Sequence, residues 1–256
     1  MSNTHSGRRI HLLDEVRGFC VVLMVFYHAF YTIGYMFGVE FFKTLFDFFT
    51  PVEPFFAGLF IFICGICCNF SHSNLKRGLL LAGVAVLMSA VLWCGTRLTI
   101  LDSGAMIWFG ILHLLAVCIL LYVLLRPTFQ FIPTWLGVSL CALLFVLFMH
   151  VSPYDGSYFG ISGLFTVSTP PVERNLLSYV LGLCYVGATG DYFPLLPWFF
   201  CFLAGAYVGR WRRKFPSWMS RNRFPLFSGI GKVSLWVYIA HQPVIYGLCF
   251  LIDTVF

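Results

Sequence analysis

The stretch FCVVLMVFYHAFYTIGYMFG, residues 19–38, runs for 20 residues without a charge and decides the fold. A bilayer core about 30 Å thick is crossed by about 20 apolar helical residues at roughly 1.5 Å each, so the stretch reads as a membrane span. His28 lies nine residues past Phe19, about 14 Å into the hydrocarbon and close to the midplane. The rest of the 256-residue chain has the same character: 60% hydrophobic, 10% charged, 30 Phe and a mean hydropathy of +0.88. That composition excludes a soluble domain. Arg8 and Arg9 precede the stretch, but Arg17 lies just upstream, His28 lies inside and no small-residue cleavage signature follows. The span is therefore expected to be retained, not removed as a signal peptide.

Working outward, apolar runs between breakers predict further spans at 54–71, 78–97, 106–125, 131–150, 193–209 and 231–252, seven with the first. The expected fold is an all-α polytopic transmembrane bundle, a single membrane domain over residues 1–256, located in the cell (inner) membrane. NLLSYVLGLCYVGATG, residues 175–190, is short for a crossing and ends in Gly-Ala-Thr-Gly, which predicts an interfacial or re-entrant helix.

With a cytoplasmic N-terminus, the inner side receives Arg8, Arg9, Arg17, Lys76, Arg77, Arg126, Arg210, Arg212, Arg213, Lys214, Arg221, Arg223 and Lys232. The outer side keeps only Lys43, Arg97 and Arg174. Thirteen basic residues against three set the expected orientation. Glu40, Asp47, Glu53, Asp102, Asp155, Glu173, Asp191 and Asp253 then form an acidic outer mouth. The outer segment 151–192, dense in Gly, Ser, Tyr and Pro, is either a lid over substrate or a plain connector. All ten cysteines fall in or beside apolar runs and read as small hydrophobes. Cys64 and Cys67 form a CxxC, but no second Cys/His pair faces it, so no metal is expected. No internal repeat is found.

Ionisable side chains inside a membrane cost about 2.5–3.5 kcal/mol each and are functional candidates when they face the bundle interior. Histidine is cheaper because it can stay neutral. Three qualify: His28, His113 and His241. A single His in a bundle is also often a satisfied inter-helix hydrogen-bonding group, but His28 has company. Arg17 lies eleven residues before it, three turns away on one face, with Asp14 a turn before Arg17 and Gly18 just after. Asp14 and Arg17 read equally as an anchoring ion pair or as part of the site. In SLWVYIAHQPVIYG, Ser234, Tyr238, His241 and Ile245 share a face, Gln242 stands beside it, and Pro243 removes a backbone bond next to the polar pair. WFGILH places Trp108 and His113 near the outer third of the fourth span, where a packing seam at Gly110 is an equal alternative.

Six motifs then stand in order: Asp14-x-x-Arg17-Gly18, Met24-Val25-x-x-His28, Phe62-x-x-Gly65, Gly110-Ile-Leu-His113, Asp191-Tyr-Phe-Pro194-Leu-Leu-Pro197-Trp198 and His241-Gln242-Pro243. Together they resemble the bacterial relatives of the lysosomal heparan-α-glucosaminide N-acetyltransferase. The opening Arg9-x-x-x-x-Asp14-x-x-Arg17-Gly18, followed by a His in the first span, is also similar to the wider group of transmembrane acyltransferases that modify cell-surface glycans. The resemblance implies transfer of an acyl group, usually acetyl from acetyl-CoA, through the membrane onto an amine or hydroxyl of a sugar or glycoconjugate. It departs at one point: the lysosomal pattern has Asn where His28 stands and a histidine near the position of Val39, whereas here no histidine lies between His28 and His72.

Acyl transfer from a thioester needs a base, a donor for the developing oxyanion and an anchor for the coenzyme phosphates. The base is expected to be His28, as in the glycan acyltransferases, or else a carboxylate such as Glu40; His28 is favoured, assisted by Glu40, Asp47 or Glu53, with His241 and Gln242 positioning the thioester or its oxyanion. Lys76, Arg77 and the run from Arg210 to Lys214 would bind phosphates, although a positive-inside bias explains most of these cations better, Lys76 and Arg77 at the start of the third span least. Asp14, Arg17, Trp108, His113, Asp191, Trp198 and Tyr238 complete the expected binding set. Lipid, a CoA thioester and a sugar acceptor are the expected partners, with no nucleic acid and with room for a homodimer. The competing function is a transporter or exporter in which the same histidines relay protons.

Overall fold

The computed structural model describes residues 9–98, 106–151, 158–168, 173, 175–184 and 191–255. Arg8, Asp102, Asp155, Arg174 and the end of the 175–190 segment lie outside the described residues. The chain is mainly helical: α1 (His11–Tyr31) runs into a π-helical turn (Thr32–Met36), followed by α2 (Glu40–Phe49), α3 (Glu53–Cys67), α4 (Asn74–Arg97), α5 (Ile111–Phe129) and α6 (Thr134–Phe148). A hairpin of β1 (Tyr158–Ile161) and β2 (Phe165–Ser168) precedes α7 (Leu176–Leu181), α8 (Leu195–Gly209), α9 (Pro225–Lys232) and α10 (Ser234–Val255).

Among the described residues four helical stretches are long and apolar enough to cross a membrane: His11–Met36, Asn74–Arg97, Ile111–Phe129 and Ser234–Leu251. A fifth forms if α2 and α3, bent by 56° at their junction, are taken as one broken span. The windows expected at 131–150 and 193–209 yield α6 and α8 of 15 residues each, about 22 Å of helix at 1.5 Å per residue and short of a straight crossing. Pro133 at the N-cap of α6 and Pro194 at that of α8 delay both helices, because a proline restricts the residue before it and donates no amide.

Two further expectations are corrected. The chain is not purely α: Tyr158 pairs with Ser168 and Ile161 with Phe165 in an antiparallel register, and Gly163 takes φ 84° in the tight connection. Phe, Tyr, Val, Ile and Thr favour a pleated surface over a helix, and Phe159 seats the hairpin on Phe148 at 5.0 Å between ring centroids. The helix expected over 175–190 is cut to six residues. Asn175 Oδ1 caps its start by accepting the Ser178 N–H at 2.9 Å, and Gly182 at φ 87° ends it, with the Leu183 N–H turned back to the Ser178 carbonyl.

The chain divides into two compact units, Met1–Ile63 with Arg213–Phe256 and Cys64–Arg212, the boundary falling inside α3. In the first, α1 crosses α9 at a point where neither helix has a side chain. A Cβ on Gly18 would collide with the Phe227 carbonyl, and one on Gly231 with the Asp14 carbonyl. Glu15, buried, reaches past this crossing to the start of α9, where its Oε1 accepts the N–H groups of Arg223 (2.7 Å) and Phe224 (3.2 Å). Arg17 Nε donates to the Gly231 carbonyl at the other end (2.7 Å). An acid thus meets the positive end of α9 and a cation its negative end. The helix α2 buries no residue; Glu40, Lys43, Thr44 and Asp47 share one face, while Phe41 and Phe48 on the other are 65% and 70% exposed. That division suits a helix lying in a lipid interface.

In the second unit α4 packs on α5, and α6 on α8. A Cβ on Gly65 would strike the Phe202 carbonyl, so the end of α3 meets α8 backbone to backbone. The core of this unit is apolar, with Phe202, Ile111, Leu114, Ile119 and Cys118 fully buried.

Candidate active site

His28 and His241 come together within the first unit. His28 Nδ1 and His241 Nε2 are 2.9 Å apart and the rings stack with centroids 4.9 Å apart, while His241 Nδ1 contacts the Tyr238 carbonyl. Donor and acceptor logic sets the tautomers. A carbonyl only accepts, so Nδ1 of His241 carries its proton. Neutral His241 then presents a lone pair at Nε2, to which His28 Nδ1–H must donate. Nε2 of His28 is left as a lone pair, and among the described residues no partner meets it. A histidine held this way can take a proton at Nε2 while its Nδ1–H is steadied from behind.

Residues around the pair are polar but sparse. Tyr238 is buried with its ring 5.3 Å from that of His241. Gln242 Oε1 lies 3.5 Å from Thr32 Oγ1, which is fully buried at the start of the π-helical turn. Such turns recur at functional positions because they shift side chains out of helical register. Pro243 lies within α10 and leaves the Ile239 carbonyl without its usual amide.

The expected assisting carboxylates sit on and after α2. Glu40 is exposed and paired with Lys43 at 2.5 Å, Asp47 accepts the Tyr35 hydroxyl at 2.9 Å, and Glu53 opens α3 within electrostatic reach of Tyr27. Asp14 is clasped by Arg9 (2.8 Å) and Arg17 (2.7 Å). Asp14 and Arg17 are thus occupied in the α1–α9 junction described above.

His113, in the second unit, is arranged differently. Its Nδ1 accepts the Gly110 N–H at 3.3 Å, so the ring proton sits on Nε2, 3.2 Å from Ser89 Oγ; Ser89 passes its own proton to the Ile107 carbonyl at 2.7 Å. Both ring nitrogens are occupied and none is left to act as a base. Asp191, buried, accepts the Ile111 N–H at 3.2 Å and so caps α5 from 80 residues away. Gly110 makes that possible, since a Cβ there would lie 2.5 Å from Asp191 Oδ2. Trp108 is 58% exposed just before α5, and Trp198 packs between Phe145 and Phe193, each 5.6 Å away. Lys76 is exposed near the start of α4, whereas Arg77 turns inward and donates to Cys64 Sγ at 3.1 Å. Among the described residues no group of three or more His, Cys, Asp and Glu is placed to hold a metal ion.

A family model described as heparan-alpha-glucosaminide N-acetyltransferase, catalytic, matches residues 9–243. The chain belongs to that family. The matched range runs from Arg9, which clasps Asp14, to Pro243 beside the histidine pair, so it takes in every residue of both arrangements. Membership points to an acetyltransferase-type function for a helical protein rich in membrane-length apolar helices. No curated protein and no solved structure matches the chain.

Three positions that shape these arrangements escape a reading of the sequence. Glu15 caps α9, Gly231 admits α1, and Ser89 occupies His113. Glu15 carries a signal after the fact, being a second carboxylate at the mouth of an apolar run; Ser89 is a lone hydroxyl in a span, and Gly231 is one glycine among 23.

Proposed function

We propose that this protein is a multi-pass membrane acetyltransferase that moves an acetyl group from acetyl-CoA, held on the cytoplasmic side, to an amine or hydroxyl of a sugar or glycoconjugate on the far side, with His28 as general base. The observation that carries this reading is the ordered chain from the Tyr238 carbonyl through His241 to His28, which leaves one basic lone pair at His28 Nε2. His28 Nε2 takes the proton of the acceptor as its nitrogen or oxygen bonds to the acetyl carbon. The carbon–sulfur bond breaks, the electron pair leaves with the coenzyme sulfur, and the proton follows from His28 to the thiolate. His241 supplies the lone pair that stabilises the transient imidazolium. His113, with both nitrogens occupied, serves as packing polarity in this scheme.

The reading takes seven crossings with a cytoplasmic N-terminus, α6 and α8 completing theirs with flanking residues, and it keeps 13 of the 16 Lys and Arg inside. Glu40, Asp47 and Glu53 stand at the outer mouth and meet the acceptor. A proton-coupled transporter would use the same histidine pair, and family membership favours transfer over transport.

Purified full-length protein, given radiolabelled acetyl-CoA and glucosamine or a glucosaminide, is the decisive assay. Transfer is expected, and His28→Ala is expected to lower it by about 10²–10⁴-fold. Full transfer by His28→Ala would remove the base, and no turnover or binding of acetyl-CoA would remove the enzyme.

A further inference from the structure

The Cys64–Arg212 unit contains a cavity of about 130 Å³ where the ends of α3, α5 and α8 meet, lined among others by Asn69, Tyr122, Arg126, Gln130, Tyr207 and Arg210. By a measure in which one water needs about 10–15 Å³, it has room for a tetrahedral anion and several waters. Two guanidinium groups border it and no carboxylate does.

The two arginines are not equivalent. Arg210 is spent on the backbone: its Nη1 donates to the Ile132 carbonyl (2.8 Å) and at longer range to that of Phe129 (3.4 Å), and its Nη2 to that of Gln130 (3.0 Å). It closes the carbonyl end of α5, and the negative end of the helix offsets its charge. Tyr207 lies under its guanidinium at 5.5 Å. Asn69 is also committed, its Nδ2 to the Ala206 carbonyl (2.8 Å) and its own carbonyl to Arg212 Nη1 (2.6 Å). Arg126 has no such use: among the described residues its side chain makes no hydrogen bond or ion pair, and it is exposed at the cavity edge. A fixed polar rim with one uncommitted planar donor fork matches a phosphate, whose oxygens accept two parallel N–H bonds from guanidinium.

We propose that this cavity binds a phosphate group, with Arg126 as the recognising cation and Arg210 and Asn69 as the rim that shapes it. The inference rests on the acetyltransferase reading only for one of two sources of that phosphate, the nucleotide end of the coenzyme; the other is the headgroup of an anionic phospholipid. Of the cations expected from the sequence to bind phosphates, Lys76 and Arg77 do not line the cavity and Arg210 does, but as rim and not as the recognising group.

Two binding measurements on the full chain decide it: coenzyme A titrated calorimetrically into protein in phosphatidylcholine nanodiscs, and phosphatidylglycerol retention followed by native mass spectrometry. Arg126→Gln is expected to weaken one of the two by about tenfold or more, with Arg126→Lys intermediate because it keeps the charge and loses the fork. Arg221→Gln, which removes an exposed cation elsewhere, is expected to change neither. Loss in the first measurement assigns the site to the coenzyme, loss in the second to the lipid headgroup. If Arg126→Gln retains its unfolding midpoint and both affinities, the proposal is overturned, whether or not the protein transfers acetyl groups. If phosphate binding depends on Arg126 but no acetyl group is transferred, the cavity stands and the acetyltransferase reading fails.

Discussion

Replacing His241 by Phe keeps a flat ring in the bundle and deletes the one acceptor behind His28. The hydrogen bond lost, 2.9 Å between His28 Nδ1 and His241 Nε2, is made to a group that becomes cationic when His28 takes a proton. Bonds to charged groups contribute about 1.5–3 kcal/mol; at about 1.36 kcal/mol per factor of ten, the rate should fall by about 10- to 150-fold. That is a smaller loss than removing His28 itself, expected at about 10²–10⁴. His241→Gln should recover part of the loss, because an amide oxygen can accept the same proton. The assay is initial-rate acetyl transfer as a function of pH for the wild type, both single variants and His28→Ala/His241→Phe. Since His241 acts through His28, the double variant should be no worse than His28→Ala alone, and His241→Phe should shift the pH–rate profile as well as its height. Multiplying losses in the double variant, or wild-type rates and an unmoved profile in His241→Phe, would refute the relay.

Three other perturbations test the frame. Gly231→Ala pushes a methyl group into the Asp14 carbonyl and should cost about 1–3 kcal/mol, seen as a lower unfolding midpoint in detergent, whereas Gly229→Ala, with nothing within 4 Å, should be neutral or stabilising. Glu15→Ala strands two amides at the start of α9 and should destabilise by about 1–3 kcal/mol; Glu15→Gln, which keeps an acceptor, should cost less in the same melt. For topology, His72→Cys in a background with other thiols blocked should react with an impermeant maleimide only after the cells are opened, because the exposed α3–α4 turn faces the cytoplasm in the proposed orientation; labelling of intact cells would invert it.

What the sequence made legible follows from what spacing encodes. The 20-residue apolar run and the one-turn interval between Asp14 and Arg17 are local facts, and both appear as expected, a helix over His11–Tyr31 and an ion pair at 2.7 Å. His28 and His241 each stand out as polar residues in apolar runs, but their meeting spans 213 residues, and periodicity says nothing about which helices become neighbours. The role of His113 was hidden because tautomers are set by partners: Ser89 lies 24 residues away on another helix. The expected windows at α6 and α8 are longer than the 15-residue helices that form there, because hydropathy windows overlook the prolines that shorten a helix. The hairpin was missed because a Gly- and Ser-rich segment reads as loop even when alternate residues favour strands.

The partners of Glu15 at Arg223 and Phe224 lie more than 200 residues downstream, as does the Gly231 carbonyl that Arg17 holds. During synthesis α1 therefore reaches the bilayer long before α9 exists, with an acid and part of a guanidinium still lacking their final bonds. A helix made early is thus completed by one made much later. Chains that stop before residue 232 would leave that pair unfinished, so this unit closes only after α9 has been made.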